Sequence, residues 1–261
     1  PEEKNGIKKF VQEIIAVSDE TDKLHRNKGK FIKLFFPLQY KKMWNIRNKT
    51  LADLLNEHIS NPVLKDILAE KWGYYGLPPS LLSGFYYATA TGSYLKNGSY
   101  YIKDRSQNLS DLLAEKIEKA GGNIVYDSSV RKILLKNGAV TGVKTSDDKV
   151  FPAKAVVSNA NAITTFKKML PANALPTGYL EKLESYKPSI SSFIVWLGLN
   201  KEIHKSVKYS NIKIASGLNV ETDYQLCLKG EVDKFSFGIT IDNNMFKNYS
   251  MQGTSIVRIV C

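Results

Sequence analysis

One stretch constrains this chain more than any other. Between residues 98 and 160 the hydrophobic period changes from helical to strand-like, and turn residues fall where each change needs them. Leu109, Leu112, Leu113, Ile117 and Ala120 recur at three- and four-residue spacing and predict one apolar helical face. Gly121-Gly122 ends that helix, because glycine takes the left-handed conformation after a helix C-terminus without a Cβ penalty. Asn123 to Tyr126 reads as a short strand and Val130 to Leu135 as a second. Asn137-Gly138 predicts a type I′ hairpin turn, which needs positive φ at both central residues. Ala139 to Lys144 returns, Ser146-Asp147-Asp148 turns again, and Val150 to Ala153 makes a third meander strand. Ala155-Val156-Val157 reads as a buried apolar strand that runs into Ser158-Asn159-Ala160.

The flanks have a different character. Before residue 97 the pattern is helical: Ile7, Phe10, Val11, Ile14 and Ile15 form one stripe, and Leu51, Leu54, Leu55 and His58 another. Asn61-Pro62 reads as an N-cap followed by proline at the first helical position, with Val63, Leu64, Ile67 and Leu68 carrying the helix toward Trp72. After residue 160 a helix is expected through Ile163, Phe166 and Leu170, and another near Leu180, Leu183 and Tyr186. Strands are expected over 191–199, 235–241 and 255–260. The chain opens on Pro1-Glu2-Glu3-Lys4 and closes on an apolar run at Cys261, so the expectation is an internal section of a longer protein.

Composition narrows the chemistry. With 43% hydrophobic and 24% charged residues, the chain is of ordinary globular type, and no run of 18 apolar residues predicts a membrane span. Two cysteines, Cys227 and Cys261, make no disulfide framework, and His25, His58 and His204 have no ligand spacing, so no metal site is expected. A reducing, cytoplasmic setting fits that cysteine usage. No Ser/His/Asp set or carboxylate pair stands out, so no residue is assigned a catalytic role. Nothing in the sequence fixes an oligomeric state.

The net charge of +12 points to anionic partners, or to no partner at all. Its densest part is residues 23–49, with nine Lys or Arg, no Asp or Glu, and Phe31, Ile32, Leu34, Phe35, Phe36, Leu38, Trp44 and Ile46 interleaved. Basic residues beside aromatics suit peripheral contact with a membrane, a single-stranded nucleic acid, or a solvated face above a packed one. On the residues alone all three readings stay open.

The linked elements of 98–160 resemble those of the phytoene desaturase, carotenoid isomerase and retinol saturase family of flavoproteins. The resemblance rests on the helix SQNLSDLLAEKIEKAGG, the V-x-x-I of Val130 and Ile133, the glycine hairpin, the Gly142-Val143 step, and A-x-x-V-V-S-N-A from Ala153 to Ala160. KTLADLLNEHISNPVLKDILAEKWGYYGLPPS is similar to that family's helical substrate region, and SSFIVWLGLN to the strand opening its substrate sheet.

The resemblance implies a mixed α/β (α+β) fold: the substrate domain of an FAD-dependent, amine-oxidase and phytoene-desaturase-like flavoprotein, with an inserted strip of the FAD-binding domain. Residues 1–97 would be the helical part of the substrate domain, 98–160 the FAD-domain strip, and 161–261 the substrate-domain sheet and helices. The activity implied is that of a desaturase, isomerase or saturase on an apolar, polyene-like small molecule, with FAD as cofactor. The runner-up is a non-catalytic basic module binding a membrane surface or nucleic acid. The lipophilic substrate that the resemblance implies makes peripheral membrane contact the preferred reading of residues 23–49, with nucleic acid not expected.

By the same resemblance, the backbone of Val130 would meet the adenine edge, and Ser158, Asn159 and Ala160 would turn beside the cofactor. Packing and capping alone would also account for Val130 and Asn159. The chain has no G-x-G-x-x-G, and Gly73-Tyr74-Tyr75-Gly76 carries bulk where phosphate needs close approach, so the FAD site within the chain is incomplete. The family's Tyr-Pro-x-Gly-Gly is replaced here by Tyr101-Ile102-Lys103-Asp104-Arg105. Arg105 would pair with a substrate carboxylate or lie on the surface. Nine aromatics from Trp72 to Tyr101, among them Tyr74, Tyr75, Tyr86 and Tyr87, would line an apolar substrate pocket or fill a core.

Overall fold

The computed structural model describes residues 2–27, 32–215, 217 and 219–261. It is a mixed helix and sheet protein, as the patterning predicts, divided into two compact units: residues 1–108 with 189–261, and residues 109–188.

The first unit opens with helices. α1 (Lys4–Arg26) buries Phe10, Ile14, Val17, Ser18 and Thr21, one stripe at helical spacing. α2 (Ile32–Gln39) and α3 (Lys41–Ile46) follow, and Tyr40, Met43 and Ile46 turn inward from this pair. Part of the basic stretch, 28–31, lies outside the described residues. α4 (Leu51–His58) starts with a reciprocal cap: Asp53 N–H donates to Thr50 Oγ1 at 3.1 Å, and Thr50 N–H to Asp53 Oδ2 at 2.8 Å. α5 (Pro62–Ala69) begins where the Asn-Pro signal places it, with Asn61 Oδ1 accepting from Leu64 N–H. It does not run on to Trp72. The helix ends at Ala69, and α6 (Trp72–Tyr75) is a separate turn closed by Gly76 at φ +76°.

α7 (Gly84–Asn97) packs across α1, and its closest approach is at Gly92, where a Cβ would stand 2.6 Å from Ile14 O. The core joins Phe10, Ile14, Val17, Ile46, Leu51, Leu54, Leu55, Leu82 and Tyr87. α8 (Gln107–Lys119) ends as its glycines require: Gly122 N–H reaches Ile117 O and Gly121 N–H reaches Glu118 O, with Gly121 at φ +82°.

The second unit is built on an antiparallel meander, β1 (Val130–Lys136), β2 (Ala139–Thr145) and β3 (Val150–Pro152), in the order β1-β2-β3. Asn137 (φ +53°) and Gly138 (φ +77°) make the expected turn. Two expected strands do not form. Asn123–Tyr126 and Ala155–Val157 are unpaired, and Val157 is 98% exposed. A strand exists only through its partner's hydrogen bonds, and a buried one needs cover on both faces. Among the described residues neither segment meets such a partner. The helix expected through Phe166 is a π-helical turn, Thr164–Met169, and α9 (Tyr179–Glu184) follows.

The chain then returns to the first unit with β4 (Ile194–Leu199), β5 (Asn211–Ile214), α10 (Val220–Lys229), β6 (Phe237–Ile241) and β7 (Ser255–Val260). The four strands form one antiparallel sheet in the order β4-β7-β6-β5, sharing no strand with the meander. β4 starts three residues later than expected, and β5 and α10 have no counterpart in the sequence reading.

Candidate functional site

In the second unit, the meander and the residues after it enclose a pocket of about 270 Å³. Ile133 and Val140 face it from β1 and β2. Val156, Ser158 and Ala160 line it from the segment after β3, and Ala162, Thr165, Phe166 and Leu170 from the helical turn that follows and its end. The wide turn is set by Asn161, whose Oδ1 accepts from Thr164 N–H at 3.1 Å. Ser158 Oγ and Thr165 Oγ1 lie 2.8 Å apart, and Ala160 N–H donates to Ser158 Oγ at 3.3 Å. No lining residue ionises at neutral pH. The pocket can therefore bind and orient an apolar group beside two hydroxyls, but cannot itself supply a general acid or base.

Of the residues singled out from sequence, Ser158 and Ala160 come together on this pocket. Asn159, between them, is exposed and does not line it; the capping role that asparagine suits is taken by Asn161. Val130 is half-buried at the start of β1, opposite Thr145, three residues before the pocket residue Ile133, and does not line the pocket. Ile133 appeared only as part of a motif. Thr165, Phe166 and Leu170 carried no sequence signal beyond helical spacing.

In the first unit the tyrosines divide. Tyr75 and Tyr86 meet edge to face with centroids 5.4 Å apart, and Tyr75 O–H bonds Thr91 Oγ1 at 2.8 Å. Burial raises the Tyr75 phenol above its ordinary value. Tyr87 is 3% exposed, packs on Phe10 and Tyr75, and donates to Leu68 O at 2.8 Å. Tyr74 has its ring in solvent.

Burial pushes the Tyr87 phenol up to about 12 from 10.0. The folded state thus favours the neutral phenol. The stability this contributes, about 2–3 kcal/mol, is present below pH 10 and lost as pH rises toward 12. Tyr87→Phe should cost roughly 1 kcal/mol at neutral pH, for the bond to Leu68 O, and flatten the alkaline decline. Urea unfolding across that window checks it; an equally steep decline in the variant would exclude Tyr87 as the source.

Arg105 belongs to a strap over the turn after β6. Its guanidinium lies 5.7 Å from the Tyr249 ring centroid, Tyr101 meets Phe246 at 5.9 Å, and Phe246 stacks on Tyr249 at 5.4 Å. Asp104 adopts φ +68°, a backbone conformation that glycine favours. Elsewhere, His58 Nε2 and Glu13 Oε2 are 2.6 Å apart beside Glu57, which is bound by Lys49 at 2.6 Å. Within this three-group cluster His58 and Glu13 share a hydrogen bond, and Glu57 is held by a lysine outside it.

No protein-family profile matches the chain. Among curated proteins it is similar to all-trans-retinol 13,14-reductase of Danio rerio, at 26% identity over 158 residues, covering 59% of this chain and 26% of that protein. It is similar to 4,4'-diapolycopene oxygenase of Methylomonas sp, at 28% over 148 residues, 55% of this chain and 28% of that protein. Prolycopene isomerase 1 of an Oncidium hybrid cultivar matches at 40% over 68 residues, 26% of this chain and 12% of that protein. The chain thus spans about a quarter of the length of the first two relatives. Among solved structures, an oxidoreductase from Methanosarcina mazei superposes with a TM-score of 0.62 at 16% identity, covering 89% of this chain and 52% of that one, a likeness of fold.

Proposed function

We propose that this chain, a relative of the phytoene desaturase, carotenoid isomerase and retinol saturase flavoproteins, is part of an FAD-dependent oxidoreductase acting on an apolar polyene. The observation that carries the reading is what the relatives' names share: retinol, diapolycopene and prolycopene are all conjugated isoprenoid chains. In this reading residues 1–97 and 161–261 belong to the substrate domain and 98–160 to the FAD-binding domain.

The residues present fit a share of that cofactor. The pocket beside Ser158 and Ala160 is apolar with a hydroxyl pair, which suits the uncharged part of a dinucleotide. Its lining has no cation for a pyrophosphate, and the chain has no glycine-rich phosphate loop. Val130 would contribute backbone groups to the adenine edge, and Ser158, Asn159 and Ala160 would form the adjoining turn. FAD, when bound, supplies the redox chemistry, and the protein holds and orients. On the substrate side, the Tyr75–Tyr86 pair and the Arg105 strap would meet the ligand, with Tyr74 in solvent at the margin and Tyr87 fixing the helices behind them.

The natural polypeptide carrying this chain is expected to purify yellow and release FAD on denaturation, while residues 1–261 alone take up FAD weakly or not at all. A colourless natural protein that ignores added FAD would overturn the flavoenzyme reading. Tight FAD binding by residues 1–261 in a calorimetric titration would overturn the incomplete site.

A further inference from the structure

Among the described residues no helix is long and apolar enough to cross a membrane. Among the described residues, the α2–α3 pair nevertheless has an outward face without cover. Its inward face is settled: Tyr40, Met43 and Ile46 are buried, and Phe36 packs against the core. Outward stand Phe35 (45% exposed), Leu38 (80%) and Trp44 (38%), together with the exposed Lys41, Lys42 and Arg47.

Two details give this face an interfacial character. Arg47 lies over the Trp44 ring at 3.8 Å, so a cation and an amphipathic ring point the same way. Glu20, the acid that reaches this pair, has its carboxylate oxygens on the backbone N–H groups of Lys42 and Met43, at 3.1 and 2.9 Å, not on the lysine ammonium groups. An apolar set of this kind, edged by cations with no acid in residues 23–49, matches the boundary of an anionic bilayer, where rings and aliphatic tips enter the headgroup layer and cations meet lipid phosphates and carboxylates.

We propose that the outer face of α2 and α3, made by Phe35, Leu38, Lys41, Lys42, Trp44 and Arg47, docks on an anionic membrane surface. The docking is peripheral and depends on both charge and apolar insertion. It stands on residues separate from the FAD reading, and its test involves no flavin.

The purified chain is expected to co-sediment with phosphatidylserine-rich vesicles at low salt, and less so as added salt screens exposed charges beyond a Debye length of about 10 Å. Lys41→Gln/Lys42→Gln should weaken partitioning about thirtyfold. Phe35→Ala/Leu38→Ala should weaken it roughly tenfold, with helical circular dichroism unchanged. Trp44→Ala should also reduce binding. Failure of the parent chain to sediment, or binding by either double variant equal to the parent's, overturns the proposal. So does binding of a single-stranded oligonucleotide, abolished by the lysine changes, in a chain that ignores vesicles. So does a dimer, dissociated by Phe35→Ala/Leu38→Ala, in such a chain.

Discussion

Arg258→Leu is expected to destabilise the four-stranded sheet by about 3–5 kcal/mol, because it strands a buried carboxylate. Asp242, 1% exposed, follows directly on β6 and receives two bonds from Arg258 on β7: Nε to Oδ2 at 2.8 Å and Nη2 to Oδ1 at 2.6 Å. The register puts Arg258 between Trp196 of β4 and Thr240 of β6, so this guanidinium ties three strands of one face. Trp196 adds a cation–π contact at 5.1 Å, worth roughly 0.5–1 kcal/mol at a partly exposed site.

The size of the effect comes from the charge left behind rather than from the pair's own net contribution. Asp242→Asn/Arg258→Leu should therefore recover much of the loss, since no charge remains to be buried. Chemical denaturation of the parent, Arg258→Leu and the double variant tests this through the coupling between the two sites. A single-variant loss below about 1 kcal/mol would mean that water solvates Asp242 and that the sheet does not depend on the bridge.

The elements most legible in the sequence were those fixed by local backbone chemistry. Asn61-Pro62, Gly121-Gly122 and Asn137-Gly138 each mark a boundary where the structure has it, because a cap, a left-handed residue and a type I′ turn are each satisfied within a few residues. Strands expected over 191–199, 235–241 and 255–260 formed as well, because distant partners meet them in one sheet, whereas two others found no such partner. Asn123–Tyr126 and Ala155–Val157 have β-type composition, but a strand is a property of a pair, and composition cannot supply the neighbour. β5 was missed for the opposite reason: Asn211–Ile214 has an unremarkable composition and is a strand because β6 pairs with it.

The pocket was half legible. Ser158 and Ala160 entered through a motif of adjacent residues, whereas Thr165, Phe166 and Leu170 reach the same space through a π-helical turn that no periodicity signals. Asp104 holds φ +68°, a left-handed conformation that reading the residue type alone does not reveal.

Gly142→Ala is expected to cost about 3–5 kcal/mol of the second unit's stability, far more than alanine at the neighbouring turn glycine, Gly138. Gly142 has φ +154°, a conformation that side chains rarely adopt, and a Cβ there would fall 2.3 Å from Phe151 O on β3. It sits at an irregularity in the β1–β2 register, between the Leu134–Gly142 and Leu135–Val140 pairs, where Thr141 is the extra residue and its carbonyl accepts from Ala153 N–H at 3.1 Å. An added methyl group must therefore either force β3 off β2 or straighten the bulge. Straightening shifts the residues before Gly142 by one position, and that would turn Val140 away from the pocket it lines. Gly138, at φ +77° with nothing within 4 Å, faces only a conformational cost of about 1 kcal/mol. Hydrogen exchange should show the contrast: Gly142→Ala speeds exchange of amides along residues 139–153, while Gly138→Ala leaves them protected. Equal costs for the two variants would mean that the Phe151 carbonyl yields easily, and the pocket would then owe nothing to the bulge.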